Sequence, residues 1–254
     1  MQTKRYKKRI FSGPVCEQIV WSAPARVRSG KPPRPRFKTE QERAEHRRLI
    51  ARRHCTELVN TNFTPAGWFI TLTFDEDNEM EYFSDARRER DNFRRRLRYR
   101  CPEAKFLIFM GRGKSTNRIH FHVIAEGVTE EDIAACWKLG TVKHISHLRE
   151  HNTKDGVDMG RDLTQVSTYC FDHWKPEQGG HYYSASRNLS QPEEEEPTEC
   201  TREYSEAHPP LPPKGYRLVE ARSTPYGYLY FRYVKIPPAP GRTRRKSRSP
   251  SYSI

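Results

Sequence analysis

The sequence predicts an α+β protein: an antiparallel sheet backed by helices. Three observations carry that prediction. The order of elements is strand, helix, strand, strand, helix, with further strands later in the chain. Two neighbouring strand runs are joined by a short polar loop, which marks an antiparallel hairpin. The first helical run is a dense charge stripe with few large apolar residues, so it packs along one narrow seam.

The 254 residues suffice for one ordinary domain with appendages, or two small ones. Residues 1–40 are basic, carry Pro24, Pro32, Pro33 and Pro35, lack periodicity and read as an extended basic arm. A helix follows over about 39–60, its large apolar positions being Leu49, Ile50, Leu58 and Val59. Residues 68–74, WFITLTF, are aromatic and β-branched, a strand with Thr71 and Thr73 on one face. Ser84 is a cap for the next helix, which runs to about residue 99 and holds Arg94, Arg95, Arg96 and Arg98, with Arg100 beyond. Residues 106–110 form a second strand, and the polar turn 111–117 leads into a third, RIHFHVI. Thr129 caps an acid-first helix that Gly140 ends. A fourth helix spans about 161–174, stopped by Pro176. These elements place a main domain at 41–190. An acidic, proline-bearing linker follows at 191–214, then a β-hairpin at 215–236 and a basic tail at 237–254 that reads as disordered.

The formal charge is +14, much of it arginine, which favours an anionic partner and nucleic acid first. No run of eighteen apolar residues exists, so no membrane span is expected. The first residues are charged but lack an apolar core, so no secretory signal is expected. Cys16, Cys55, Cys101, Cys136, Cys170 and Cys200 form no CxxC pair, which argues against a zinc ribbon and for a reducing cytosol. No GxxxxGK[ST] occurs, so the chain has no helicase motor of that kind.

His120 and His122 flank Phe121 in the third strand. Strand side chains alternate faces, so the two imidazoles point one way while Ile119, Phe121 and Val123 point the other. Their Cα atoms are expected roughly 6.5–7 Å apart, a span two imidazoles can close around one ion. The alternative is a wet strand face that carries two histidines. His144, His147 and His151 offer a rival metal site if their segment is helical; as a strand end and loop they contact phosphate or other side chains. On the fourth helix Leu163, Val166, Cys170, Phe171 and Trp174 gather on one side. Tyr169 falls on the other, among Asp162, Gln165, Asp172 and His173. A tyrosine there can serve as a covalent nucleophile on a phosphodiester.

With these parts in place the chain resembles the rolling-circle replication initiators of the HUH endonuclease superfamily. The likeness is to replication-associated proteins of phages and integrative elements in bacteria, akin to the gene-two-type initiators of filamentous phages. Three motifs match in order: FITLTF at 69–74, the histidine strand, and the helix around Thr168 and Tyr169. GRGKSTNRIHFH, HLREHN, PEQGGHYY and ASRNL add to it, and the matching stretch covers about 65–190. The resemblance implies a ferredoxin-like (RRM-like) antiparallel sheet with the histidines on a central strand. It implies His120 and His122 as ligands of Mg2+ or Mn2+ and Tyr169 as the nucleophile that forms a 5′-phosphotyrosine link. The strand before the histidines offers no carboxylate, so a third ligand is sought in Gln165, Asp162, Asp172 or water, with Glu126 ranked lower. Thr71, Thr73, Arg118, His173, Lys175 and Arg187 are the expected DNA contacts. Tyr182 and Tyr183 are the fallback nucleophiles. The implied partner is single-stranded DNA at a replication origin or hairpin in a bacterial cytoplasm, with a host helicase to open it. The rival functions are a non-catalytic single-stranded nucleic-acid-binding module and a transposase or relaxase using the same site.

Overall fold

The computed structural model describes residues 3–24, 35, 37–113, 115–173, 181–224 and 227–237. The chain begins with β1 (Thr3–Ser12) and β2 (Val15–Pro24), then α1 (Glu40–Asn62), β3 (Trp68–Phe74) and α2 (Phe83–Arg100). Next come β4 (Lys105–Arg112), β5 (Ile119–Glu126), α3 (Glu130–Cys136) and β6 (Gly140–His147). A small ribbon of β7 (His151–Lys154) and β8 (Val157–Arg161) precedes α4 (Thr164–Asp172). The two-residue strands β9 (Ser184–Ala185), β10 (Glu193–Glu194) and β11 (Thr198–Glu199) lead to β12 (Tyr216–Ser223) and β13 (Leu229–Lys235).

The fold is α+β with antiparallel sheets, as the sequence predicts. The central sheet has the order β6-β3-β5-β4-β9. Strands β3 to β6 with α2 and α3 between them follow the βαββαβ pattern of the ferredoxin-like sheet. Alternation along β5 sorts its side chains to two faces. Phe121 and Val123 pack with Phe93 and Leu97 of α2 and Ile133 of α3. Ile124 packs on the other face with Leu107 and Phe109 of β4, Cys55 and Val59 of α1, and Cys170 and Phe171 of α4. Each fully buried large side chain contributes about 1.5–3 kcal/mol. The histidine face is therefore not simply wet: two helices cover part of it.

Within the segment expected as an extended arm, residues 3–24 form a β-hairpin instead, tied by ten cross-strand pairs. Tyr6, Ile10 and Ser12 are buried at even positions of β1, while lysines and arginines fill the places between. Those long basic side chains hide the period of two. Gly13 turns the hairpin at φ +55°, and a Cβ on it would meet the Asn60 carbonyl oxygen of α1 at 2.1 Å. The expected linker supplies β10 and β11, which pair with β1, and Glu199 meets Lys4 at 2.7 Å. The expected C-terminal hairpin is present as β12 and β13, but β13 also pairs with β2. The two ends of the chain thus close one sheet, with the order β10-β1-β2-β13-β12 and β11 also on β1. Ser84 is not a cap, since α2 starts one residue before it, after Tyr82. Gly140 does not end α3; it opens β6, where a Cβ would meet Thr73 O at 2.0 Å. The tail beyond residue 237 lies outside the described residues.

Candidate functional site

His120 and His122 sit on β5 between β3 and β4. Thr73 and Gly111 stand opposite His120, and Thr71 and Phe109 stand opposite His122. Gly111 is what gives the His120 ring its place, because a Cβ there would lie 2.9 Å from His120 Nε2. The two Nε2 atoms face each other at 3.2 Å. Nδ1 of His120 lies 3.4 Å from the Arg118 carbonyl oxygen, which can only accept, so Nδ1 carries the proton and Nε2 keeps its lone pair. Nδ1 of His122 lies 3.1 Å from Thr71 Oγ1, a hydroxyl that can donate or accept. With the hydroxyl donating, His122 Nε2–H donates to His120 Nε2; with it accepting, both Nε2 atoms offer lone pairs to a cation. This donor set, with each ring oriented by a bond to its other nitrogen, fits a divalent ion.

Burial lowers the pKa of His120, and the charges of His173 and Lys143 add to it against the Arg118 carbonyl. Burial likewise brings His122 down to about 3, helped by His120, His173 and His144. Both rings are neutral at pH 7, the state a ligand needs. The unfolded His122 binds its proton near 6.5, so stability is full above 6.5 and falls as the pH drops toward 3. His122→Gln is expected to remove that share of the pH slope, read as urea midpoints near pH 7.5 and pH 5. An unchanged slope would contradict a buried, neutral His122.

Tyr169 reaches the same place from α4 and is 47% exposed. Its ring lies 5.5 Å from that of His122, 6.0 Å from Phe69 and 4.1 Å from His173. His173 sits 5.0 Å from His122 and 6.5 Å from His120, ring to ring, so it belongs to this cluster. Its Nδ1 donates to the Tyr169 carbonyl at 2.9 Å. Desolvation raises the Tyr169 pKa, so the phenol is protonated at neutral pH.

The start of α4 is held by side chains from three elements and from the connection that precedes it. Leu163 N donates to Asn60 Oδ1 of α1 at 2.8 Å, and Gln165 N donates to Asn152 Oδ1 of β7 at 3.1 Å. Thr164 N donates to Asp162 Oδ1 at 2.7 Å, and Asn152 Nδ2 donates to the same oxygen at 2.9 Å. Arg232 of β13 forms a buried ion pair with Asp162 Oδ2 and donates to Thr164 Oγ1 at 3.0 Å. Short helices leave their first N–H groups unpaired unless such partners exist. Asn60, Gly111, Asn152 and Arg232 carry no signal in the sequence, because their roles depend on register and on distant pairing.

The structure gives two of the expected third ligands other partners. Asp162 is fully engaged as just described. Asp172 pairs with Arg48 at 2.7 Å and Arg52 at 3.1 Å across the α1–α4 seam. Glu126 accepts from Thr64 N at 2.7 Å. Gln165 stays exposed, one helical turn before Tyr169. Among the described residues no group of three His, Cys, Asp or Glu side chains forms a ready metal cage. His144, His147 and His151 do not gather. His144 bonds Ser146 Oγ at 3.1 Å, His147 stacks on Trp68 at 4.0 Å, and His151 opens β7. Among the expected DNA contacts, Thr71 orients His122 and Thr73 bonds Thr141 Oγ1 at 3.1 Å. Arg118 donates to Phe74 O at 3.0 Å and pairs with Glu79 at 3.3 Å. Arg187 is exposed, and Lys175 lies outside the described residues. Tyr182 stacks on Phe171 at 4.6 Å and Tyr183 packs on Phe109 at 5.8 Å.

The fold and cluster define a class: a ferredoxin-like sheet with an H-x-H strand and a tyrosine helix laid over it. Residues 67–170 match the family model for replication-associated proteins of the ORF2 and gene-two-protein type. That match spans β3 to α4 and includes both histidines and Tyr169. No curated protein and no solved structure matches the chain. No helix among the described residues is long and apolar enough to cross a membrane.

Proposed function

We propose that this protein is an HUH-type initiator of rolling-circle replication that nicks single-stranded DNA. The observation that carries the reading is an exposed Tyr169 whose ring lies 5.5 Å from His122 and 4.1 Å from His173, over two facing Nε2 atoms, inside the replication-family match. His120 and His122 would hold Mg2+ or Mn2+, with oxygen from Gln165, water or DNA completing the set. A divalent ion there would polarise the phosphoryl oxygens of the scissile bond.

The chain's own groups do the rest. Tyr169 Oη attacks phosphorus, the bond from phosphorus to the 3′ oxygen breaks, and a 5′-phosphotyrosine forms. His173, whose ring lies 4.1 Å from the Tyr169 ring, would take the phenol proton on Nε2 and pass it to the departing 3′ oxygen. Thr71 and the Arg118 carbonyl keep the two histidines in register. The chain lacks a P-loop motif, so a host helicase supplies unwinding.

The test is nicking of a single-stranded origin oligonucleotide in manganese. His120→Ala combined with His122→Ala is expected to lower the rate by more than ~100-fold, since loss of outer-shell groups alone costs about 10–100-fold. A folded double variant that nicks at the parent rate would remove the histidines from the chemistry.

A further inference from the structure

A cleft of about 810 Å3 runs between the terminal sheet and the flank of α1 and α4, apart from the histidine cluster. Its size falls within the range of about 300–1,000 Å3 usual for ligand sites. The terminal sheet contributes the rings of Trp21, Tyr228 and Tyr230, and α1 contributes Leu49 and Ile50. Leu49 and Ile50 are 47% and 49% exposed, uncommon for large apolar side chains on a helix packed between sheets. Trp21 is only 3% exposed, yet its indole N–H has no acceptor. Arg232, 5% exposed, likewise has an Nε–H without an acceptor. Buried donors are rarely left so, and these two line the cleft.

The polar lining suits a strand of nucleic acid. Arg222 lies over the Tyr230 ring at 4.5 Å, a cation–π platform on the sheet side. Arg52 and Arg53 stand on the α1 side; Arg52 pairs with Asp172 but keeps an unpartnered Nε–H, and Arg53 pairs with Glu57 at 3.1 Å. Of the lining carboxylates, Glu194 pairs with Lys8 and Glu220 with Arg222, and Glu196 stays exposed. Burial, with the Glu57 charge beside it, pushes Glu17 up to about 8, so Glu17 is largely protonated at neutral pH. Thr164 and Thr168 of α4 form the near wall, and Thr168 directly precedes Tyr169. The cleft is thus continuous with the tyrosine helix.

We propose that this cleft is a second binding site for single-stranded DNA, taking a short run of unpaired bases that flanks the strand held at Tyr169. Bases pack on Tyr228, Leu49 and Ile50, and the indole and guanidinium N–H groups of the wall meet base and phosphate oxygens. Aromatic rings interleaved with cations are the platform that unpaired bases use. The placement next to Tyr169 rests on the nicking reading; base binding in the cleft does not.

The test uses the full chain and oligothymidylates of increasing length, with 5-iododeoxyuridine at single positions for photocross-linking. Affinity is expected to rise with length until both sites are filled. Ile50→Glu, on an exposed helix position, should lower affinity for the long oligomers about 10-fold, roughly one stacked base, and leave the shortest ones unchanged. Trp21→Phe keeps an aromatic six-membered ring, removes the pyrrole ring with its N–H and should weaken the same oligomers less. Cross-links should map to peptides holding Trp21 or Tyr228. Nicking is scored separately, so a protein that never nicks but shows this pattern sinks the nicking reading alone. Long-oligomer affinity unchanged in both variants, cross-links confined to the central sheet, or a dimer that Ile50→Glu disperses would overturn the cleft assignment.

Discussion

Tyr169→Phe is expected to give a folded protein that still binds single-stranded DNA and forms no covalent adduct with it. The substitution removes one oxygen from a ring that is 47% exposed and keeps the ring's contacts with Phe69, His122 and His173. Stability should therefore stay within about 0.5 kcal/mol of the parent. The loss in nicking should be on the order of 10^4-fold or more, the scale seen when a covalent nucleophile is deleted. Neither fallback tyrosine is placed to substitute. Tyr182 is stacked on Phe171, and burial raises the Tyr183 phenol well above its ordinary value. Adduct formation on a denaturing gel, followed by peptide mapping, reads the outcome. Undiminished adduct in Tyr169→Phe, or DNA attached at Tyr182 or Tyr183, would reassign the nucleophile.

The parts of the site that local pattern governs are legible in the sequence. Alternation alone puts His120 and His122 on one face of β5, and a helical wheel alone puts Tyr169 opposite Cys170 and Phe171. The same wheel puts Asp162 and Asp172 near Tyr169 and makes them candidate ligands. It cannot show that Arg232, seventy residues later, and Arg48 and Arg52, far earlier, already hold those carboxylates. Long-range ion pairing has no local signature. The same limit explains the N-terminal hairpin. Its exposed positions are lysine and arginine, so composition points to an arm, while pairing with β13 supplies the reason to fold. The arginines of α2 lie behind the sheet, on the face of Phe121 rather than of the histidines. Arg96 and Arg100 there are paired with Glu89 and Asp132, while Arg95 and Arg98 stay exposed.

The buried pair between Arg232 and Asp162 ties the terminal sheet to the tyrosine helix, and breaking it should be the most destabilising single change. The two side chains are 6% and 0% exposed. Arg232→Met leaves Asp162 charged and unpaired in the interior, an expected loss of about 3–5 kcal/mol. Asp162 also accepts from Thr164 N and Asn152 Nδ2, so the first turn of α4 loosens with it. Asp162→Asn in the Arg232→Met background removes the stranded charge and keeps an oxygen for Thr164 N. The double variant should therefore regain most of the loss, which the double-mutant cycle reads as coupling between the two positions. Urea unfolding of the four proteins measures it. A loss below about 1 kcal/mol in Arg232→Met, or a double variant no more stable than the single, would show that the terminal sheet does not hold the tyrosine helix through this pair.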